Sequence, residues 1–362
     1  MFAVRCLAGL AGAGVMTTLA SAGSGLAVPA QSNQPIETLS ATGGLPAHIA
    51  LSFEDPVGFV QAKSGEFIVL DRRAHTVYAV NAKKTAVRKV LQVGSEQGNV
   101  MQPAALAINA EDVFVIADSP TAYDRIQFFS PKGTYLGGFL QTKDATRLVV
   151  GPLIVNGVGS MAFTGKTILL NRPEAGALFS EFEMAGAVAR HVGTLRPTGQ
   201  EADRAVHAAL NIGLPLVDPT GGFYFVFQTG RPMFRKYDAS GALLFERHIE
   251  GPELDQSILN LPTMWPRRAE AGGTVPLVLP LVRTAAVDPT GRLWVSLMAP
   301  TTYVYDARGE KVRTIQFRAA GIISPGSFFF TSDGRMLVTP GCYEFTVRPR
   351  SSVPGPRPSA DR

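Results

Sequence analysis

Residues Val217–Phe227 read VDPTGGFYFVF, and seventy positions later Val287–Leu297 read VDPTGRLWVSL. Each phrase puts Asp-Pro-Thr-Gly between two apolar runs. Proline presets φ at the second position of a turn, and glycine accepts the positive φ that closes it. The aromatic and β-branched residues that follow suit a pleated strand. Each phrase therefore reads as strand end, tight turn and strand. A second turn follows in both copies: Tyr237-Asp238-Ala239-Ser240-Gly241 matches Tyr305-Asp306-Ala307-Arg308-Gly309. One copy is thus two hairpins in series, or four strands.

The same grammar recurs before EFIVLDRRAHTVYAVN, VFVIADSPTAYDRIQFFSPKG, KTILLNRPEAGALFSEFEMAG and RMLVTPGCYEFTV. Six copies at intervals of roughly 40 to 70 residues mark a repeat architecture of four-stranded blades. One such sheet cannot cover both of its faces, so blades stack radially and cover each other. The fold expected is all-β: a six-bladed β-propeller over residues 31–347. The last copy is short and lacks an outermost strand. Pro35–Thr42 is a lone strand-like segment, so it is expected to supply that strand and close the ring, removing two exposed sheet edges.

Val113–Gly133 resembles an NHL-type repeat: a strand ending near Asp, a short loop, a strand carrying Arg-Ile and an apolar pair, then a glycine turn. IVLDRRAHTVYAVN resembles it more loosely. The other four copies keep the turns without the Asp-to-Arg element. The resemblance implies a propeller of the NHL-repeat/TolB-like type. It implies little about activity, because this fold hosts binding modules, scaffolds and several hydrolase and lyase chemistries.

The chain has 362 residues, 46% hydrophobic and 17% charged, with a net charge of +5. Its basic residues are scattered, and runs such as Lys83-Lys84 are single pairs, which argues against nucleic acid as a partner. Met1–Arg5 carries one positive charge, Cys6–Ala27 is small and apolar, and Val28-Pro29-Ala30 fits a cleavage site. Residues 1–30 are therefore read as a signal peptide of a secreted or periplasmic protein, with no stable membrane span after cleavage. Cys6 leaves with that peptide. Cys342 then stands alone in an alternating stretch, as a buried structural thiol. Residues 348–362 form a Pro/Arg/Ser tail too poor in apolar residues to fold.

Two segments depart from the repeat. In Gly193–Gly213, Thr198 precedes Glu201 at capping-box spacing, and Ala202, Ala205, Val206, Ala209 and Leu210 recur at helical spacing. Gly251–Pro280 is proline-rich and is expected to be an ordered loop with little regular structure. If both lie on one face, Trp265, Arg267, Arg268 and His207 come near a ligand-binding cavity. An aromatic ring with two guanidinium groups suits an anionic or planar ligand. The plainer reading has Trp265 anchoring the loop and the arginines facing solvent.

No catalytic set is visible. There is no Gly-x-Ser-x-Gly elbow, and the five histidines are dispersed without metal-ligand spacing. Carboxylates such as Asp218, Asp288 and Asp333 already have turns to cap. One metal reading is open. Glu54-Asp55-Pro56-Val57 is similar to the early Glu-Gly-Pro motif of six-bladed lactonases of the gluconolactonase kind, and the resemblance would put Asn211 near a later ligand motif. That resemblance implies Ca²⁺ or another hard divalent cation in the central channel. Asp55 in place of glycine and the order Asn211-Ile212-Gly213 depart from the pattern. The sequence thus favours a module without a cofactor that binds an unknown protein or small molecule through one face. The alternative is a metal-dependent lactonase-like hydrolase or lyase.

Overall fold

The structure is a computed structural model that describes residues 35–120, 123–142, 148–150, 153–155, 160–270 and 273–347. The expected signal peptide and the Pro/Arg/Ser tail lie outside the described residues.

Six antiparallel sheets form the ring. Blade one uses Pro56–Gln61, Phe67–Asp71, Thr76–Val80 and Val87–Lys89, and blade two Pro103–Ile108, Phe114–Asp118, Tyr123–Phe129 and Tyr135–Thr142. Blade three uses Met161–Phe163, Thr167–Leu170, Ala177–Glu183 and Val188–Thr194. The twin phrases open blades four and five. Blade four is Gly213–Val217, Phe223–Phe227, Met233–Tyr237 and Leu243–His248; blade five is Val282–Val287, Leu293–Leu297, Thr302–Tyr305 and Lys311–Arg318. Blade six takes Ser327–Phe330, Arg335–Thr339 and Tyr343–Thr346.

The twin turns form as their chemistry requires. Gly221 and Gly291 adopt φ of 123° and 81°. Asp218 Oδ1 accepts from Thr220 N at 2.8 Å, and Asp288 Oδ1 from Thr290 N at 2.9 Å. Burial would raise the pKa of Asp288, but hydrogen bonds from Thr290, Trp294 and Arg292 outweigh it and hold the carboxyl below its usual value.

Alternation explains why the second strands read as unbroken apolar runs. Successive side chains point to opposite faces of a sheet. Phe223, Phe225 and Phe227 pack towards blade three, with Phe179 and Leu178, while Tyr224 and Val226 pack towards blade five, with Val295 and Tyr303. Six apolar clusters of this kind fill the six gaps between neighbouring blades.

The N-terminal chain closes the ring, but it is shared between two blades. Ile36–Ser40 runs parallel to Thr314–Arg318 as a fifth strand of blade five, and Arg313 holds Glu37 at 2.6 Å. The chain then crosses to blade six, where only Gly43 and Gly44 pair with Glu344 and Tyr343 as its outermost strand. A Cβ on Gly44 would lie 2.8 Å from the Cys342 carbonyl oxygen, so glycine permits this approach. Lys84 of blade one bonds both the Gly44 carbonyl and Glu344, tying the closure to the next blade.

Cys342 is fully buried, and burial pushes its thiol up to about 12, with Asp71 adding to the effect. The thiolate is the reactive form. Cys342 is therefore expected to resist an aromatic disulfide reagent at pH 8 in the native protein and to react within seconds in denaturant. Peptide mapping of the modified thiol checks this, and rapid native labelling of Cys342 would refute it.

Candidate functional site

In a meander of four antiparallel strands, the fourth ends where the first begins. Every connector from the outermost strand of one blade to the innermost strand of the next therefore leaves the ring at the same end, together with the loops between second and third strands. Both departures from the repeat are connectors, so they share this end. A third insertion, not anticipated from the sequence, joins blades two and three. Its strands Leu148–Val150 and Leu153–Val155 form a small sheet with Gly273–Val278 and Arg267–Glu270, Val149 pairing in parallel with Leu277.

The Gly193–Gly213 insertion carries a helix over Arg204–Leu210, later than the spacing suggested, capped by Asp203, whose side chain accepts from Val206 N. Glu201 accepts from Thr198 N at 2.7 Å, but the Thr198 hydroxyl pairs with His207 Nδ1 at 2.7 Å instead of starting the helix. The Gly251–Pro280 segment is more regular than expected. It forms a helix, Pro252–Leu259, and the hairpin Arg267–Glu270 and Gly273–Val278. The helix has Pro252 in its first turn, with Glu253 and Asp255 at its positive end, which are good starting signals. Proline content concealed them.

The two insertions pack on each other. Trp265 is half-buried against Val206, Ala209, Leu210, Ile212 and Val278, and Arg267 pairs with Asp203. Arg268 is exposed. Trp265, Arg267 and His207 thus meet in one assembly whose contacts are the anchoring ones. None of the four residues from the sequence reading lines the central cavity.

Buried polar groups at the connector end tie the insertions to the ring. Asp71, at the end of blade one's second strand, accepts from the backbone N–H of Glu54, Asp55 and Ala74 at 2.7, 3.0 and 3.0 Å. Asp118 does the same in blade two for Met101 N, and it is bound by Arg125. Blade three keeps the device as an amide: Asn171 accepts from Gly213 N at 3.1 Å and donates to Leu178 O at 2.6 Å. The Asn in KTILLN was the sequence signal for it. Arg196 donates to the carbonyls of Leu210, Thr229 and Arg231, stacked 4.3 Å from the Phe227 ring. Burial, then repulsion by Arg235, pushes its pKa down to about 10, against the pull of Glu246.

Innermost strands from all six blades enclose a central cavity of about 790 Å³. Its wall is mixed: Val57, Leu106, Ala162, Leu214, Leu216 and Phe329 contribute apolar surface beside polar groups such as Ser160, Thr284, Ser327 and Thr339. Among the described residues only Asp55, Arg72 and Arg283 bring charge to it. Asp55 and Arg72 pair with each other at 2.7 Å, leaving Arg283 as the charge with no side-chain partner among the described residues.

Neither of the two residues read as metal ligands lines the central cavity. Glu54 is exposed, in the loop leading into blade one, and it does not line the cavity. Asn211 is wholly buried. Its Oδ1 accepts from Arg196 N at 2.9 Å, and its amide donates to His207 O at 3.0 Å. As placed, these side chains do not fit an oxygen-ligand set for a hard cation, which needs several oxygens converging on one point. The sequence reading passed over Arg283. Its position corresponds to Gly213 when the twin phrases are aligned on Asp218 and Asp288, and a charge replacing that glycine was the available signal.

No protein-family model matches the chain, and no curated protein matches it. Among solved structures the chain is similar to a virginiamycin B lyase from Staphylococcus aureus, with 10% identity, a TM-score of 0.49, and coverage of 79% of this chain and 77% of that one. It is similar to the same degree to a streptogramin B lyase, with 10% identity, a TM-score of 0.49, and coverage of 80% and 92% respectively.

Proposed function

We propose that this propeller, of the NHL-repeat/TolB-like type, is an exported binding module that takes a small ligand into its central channel from the connector end. In this reading residues 1–30 direct export and are removed, and the mature protein works in the periplasm or outside the cell. The observation that carries the reading is the wall of the cavity. Apolar side chains share it with uncharged polar groups, and its one carboxylate among the described residues, Asp55, is spent on Arg72. Mostly apolar concavities with a few placed polar groups are the usual form of a small-molecule site. General acid–base chemistry most often uses an imidazole or a free carboxylate poised at the reacting centre.

The test uses N-phenyl-1-naphthylamine, an uncharged fluorophore that brightens in apolar surroundings. Saturable binding of one molecule per chain is expected. Thr284→Trp, at a residue of the cavity wall, is expected to weaken binding at least about tenfold by filling the space. If the probe does not bind, while the purified protein carries one chelatable divalent ion whose removal lowers its melting temperature, the lactonase-like reading replaces this one.

A further inference from the structure

We propose that the channel accepts an amphipathic anion, an apolar body carrying one carboxylate, and that Arg283 holds that carboxylate. The inference rests on the channel reading above and names its ligand class.

Arg283 lies on the innermost strand of blade five, Val282–Val287, and lines the cavity with its side chain exposed. The Gln228 amide donates to its backbone carbonyl at 3.2 Å, and the guanidinium has no partner among the described residues. Several other arginines of the ring are paired with carboxylates. Arg125 holds Asp118, Arg313 holds Glu37, and Arg72 holds Asp55. A lone guanidinium costs little where water reaches it and gains most from a planar anion, which it binds through two parallel hydrogen bonds.

The rest of the wall determines the body of the ligand. Val57, Leu106, Ala162, Leu214, Leu216 and Phe329 supply contact without a charged acceptor. Two arginines against one aspartate leave an excess of positive charge, so an ammonium group is disfavoured. An alcohol of the same length would gain the apolar contact alone.

The experiment displaces N-phenyl-1-naphthylamine from the purified protein with octanoate, 1-octanol and octylamine. Octanoate is expected to compete at concentrations about tenfold or more below those of 1-octanol, the usual worth of a hydrogen bond to a charged group. Octylamine should be the weakest. Arg283→Gln is expected to remove the advantage of octanoate while leaving displacement by 1-octanol and the melting temperature unchanged. Equal competition by octanoate and 1-octanol in the wild-type protein, or an advantage that survives Arg283→Gln, overturns the assignment and leaves the channel reading standing. Absence of saturable probe binding would remove the channel reading itself, and the anchor with it.

Discussion

Replacing Arg125 by alanine is expected to lower the unfolding free energy by about 3–5 kcal/mol, the cost of breaking a buried ion pair by removing one partner. The pair is well enclosed: the side chains of Arg125 and Asp118 are 5% and 0% exposed. Arg125 donates Nε to Asp118 at 3.0 Å and Nη2 to its other oxygen at 2.5 Å. Its remaining N–H groups reach the carbonyls of Ser95, Glu96 and Asn99 at 2.5, 2.8 and 3.0 Å. Alanine would strand a buried carboxylate and release the loop that those carbonyls belong to. Urea denaturation measures the first effect. Amide exchange at residues 94–100 measures the second, and protection there should fall selectively. Removing both charges, as Asp118→Leu with Arg125→Met, should cost less than Arg125→Ala alone, because no orphaned carboxylate remains. A loss below about 1 kcal/mol for Arg125→Ala would place the pair with ordinary surface salt bridges and defeat the argument.

Arg196→Ala is expected to cost about 2–4 kcal/mol through a different balance. Among the described residues no carboxylate forms an ion pair with Arg196. Its three acceptors are backbone carbonyls, at 2.7 Å for Leu210, 2.5 Å for Thr229 and 2.6 Å for Arg231. A buried acceptor left without a donor costs about 1–3 kcal/mol. Relief of the desolvated charge, whose pKa burial has already pushed down to about 10, offsets part of that sum. Lysine should not rescue the variant, since one ammonium cannot span three carbonyls from separate segments. The expected signature is loss of exchange protection over 195–212 with the six blades intact. Unchanged protection there would show that Trp265 and the Asp203–Arg267 pair hold the insertion by themselves.

These two arginines also mark how far the sequence could be read. Arg125 was legible, because Asp118 and Arg125 sit seven residues apart in the copy that most resembles an NHL-type repeat, and their pairing spans a single hairpin. Arg196, in GTLRPTG, carried no local sign, because its acceptors arrive from positions 210, 229 and 231. The same distinction separates the other outcomes. Asp218 and Asp288 cap their turns within two residues, as the phrases implied. Pro35–Thr42 was recognised as a closing segment, but its principal partner is blade five, where Arg313 waits for Glu37 across 276 residues.

Blade number, strand order and turn positions follow from the sequence by itself, since alternation, Asp-Pro-x-Gly chemistry and apolar runs act over a few residues and repeat six times. Tertiary structure alone decided the sharing of the N-terminal strand, the docking of Trp265 against the neighbouring insertion, and the place of Arg283 in the cavity wall with no side-chain partner among the described residues. Those depend on which groups meet across the ring, and a buried or facing charge is satisfied by whatever lies closest in space, however distant along the chain.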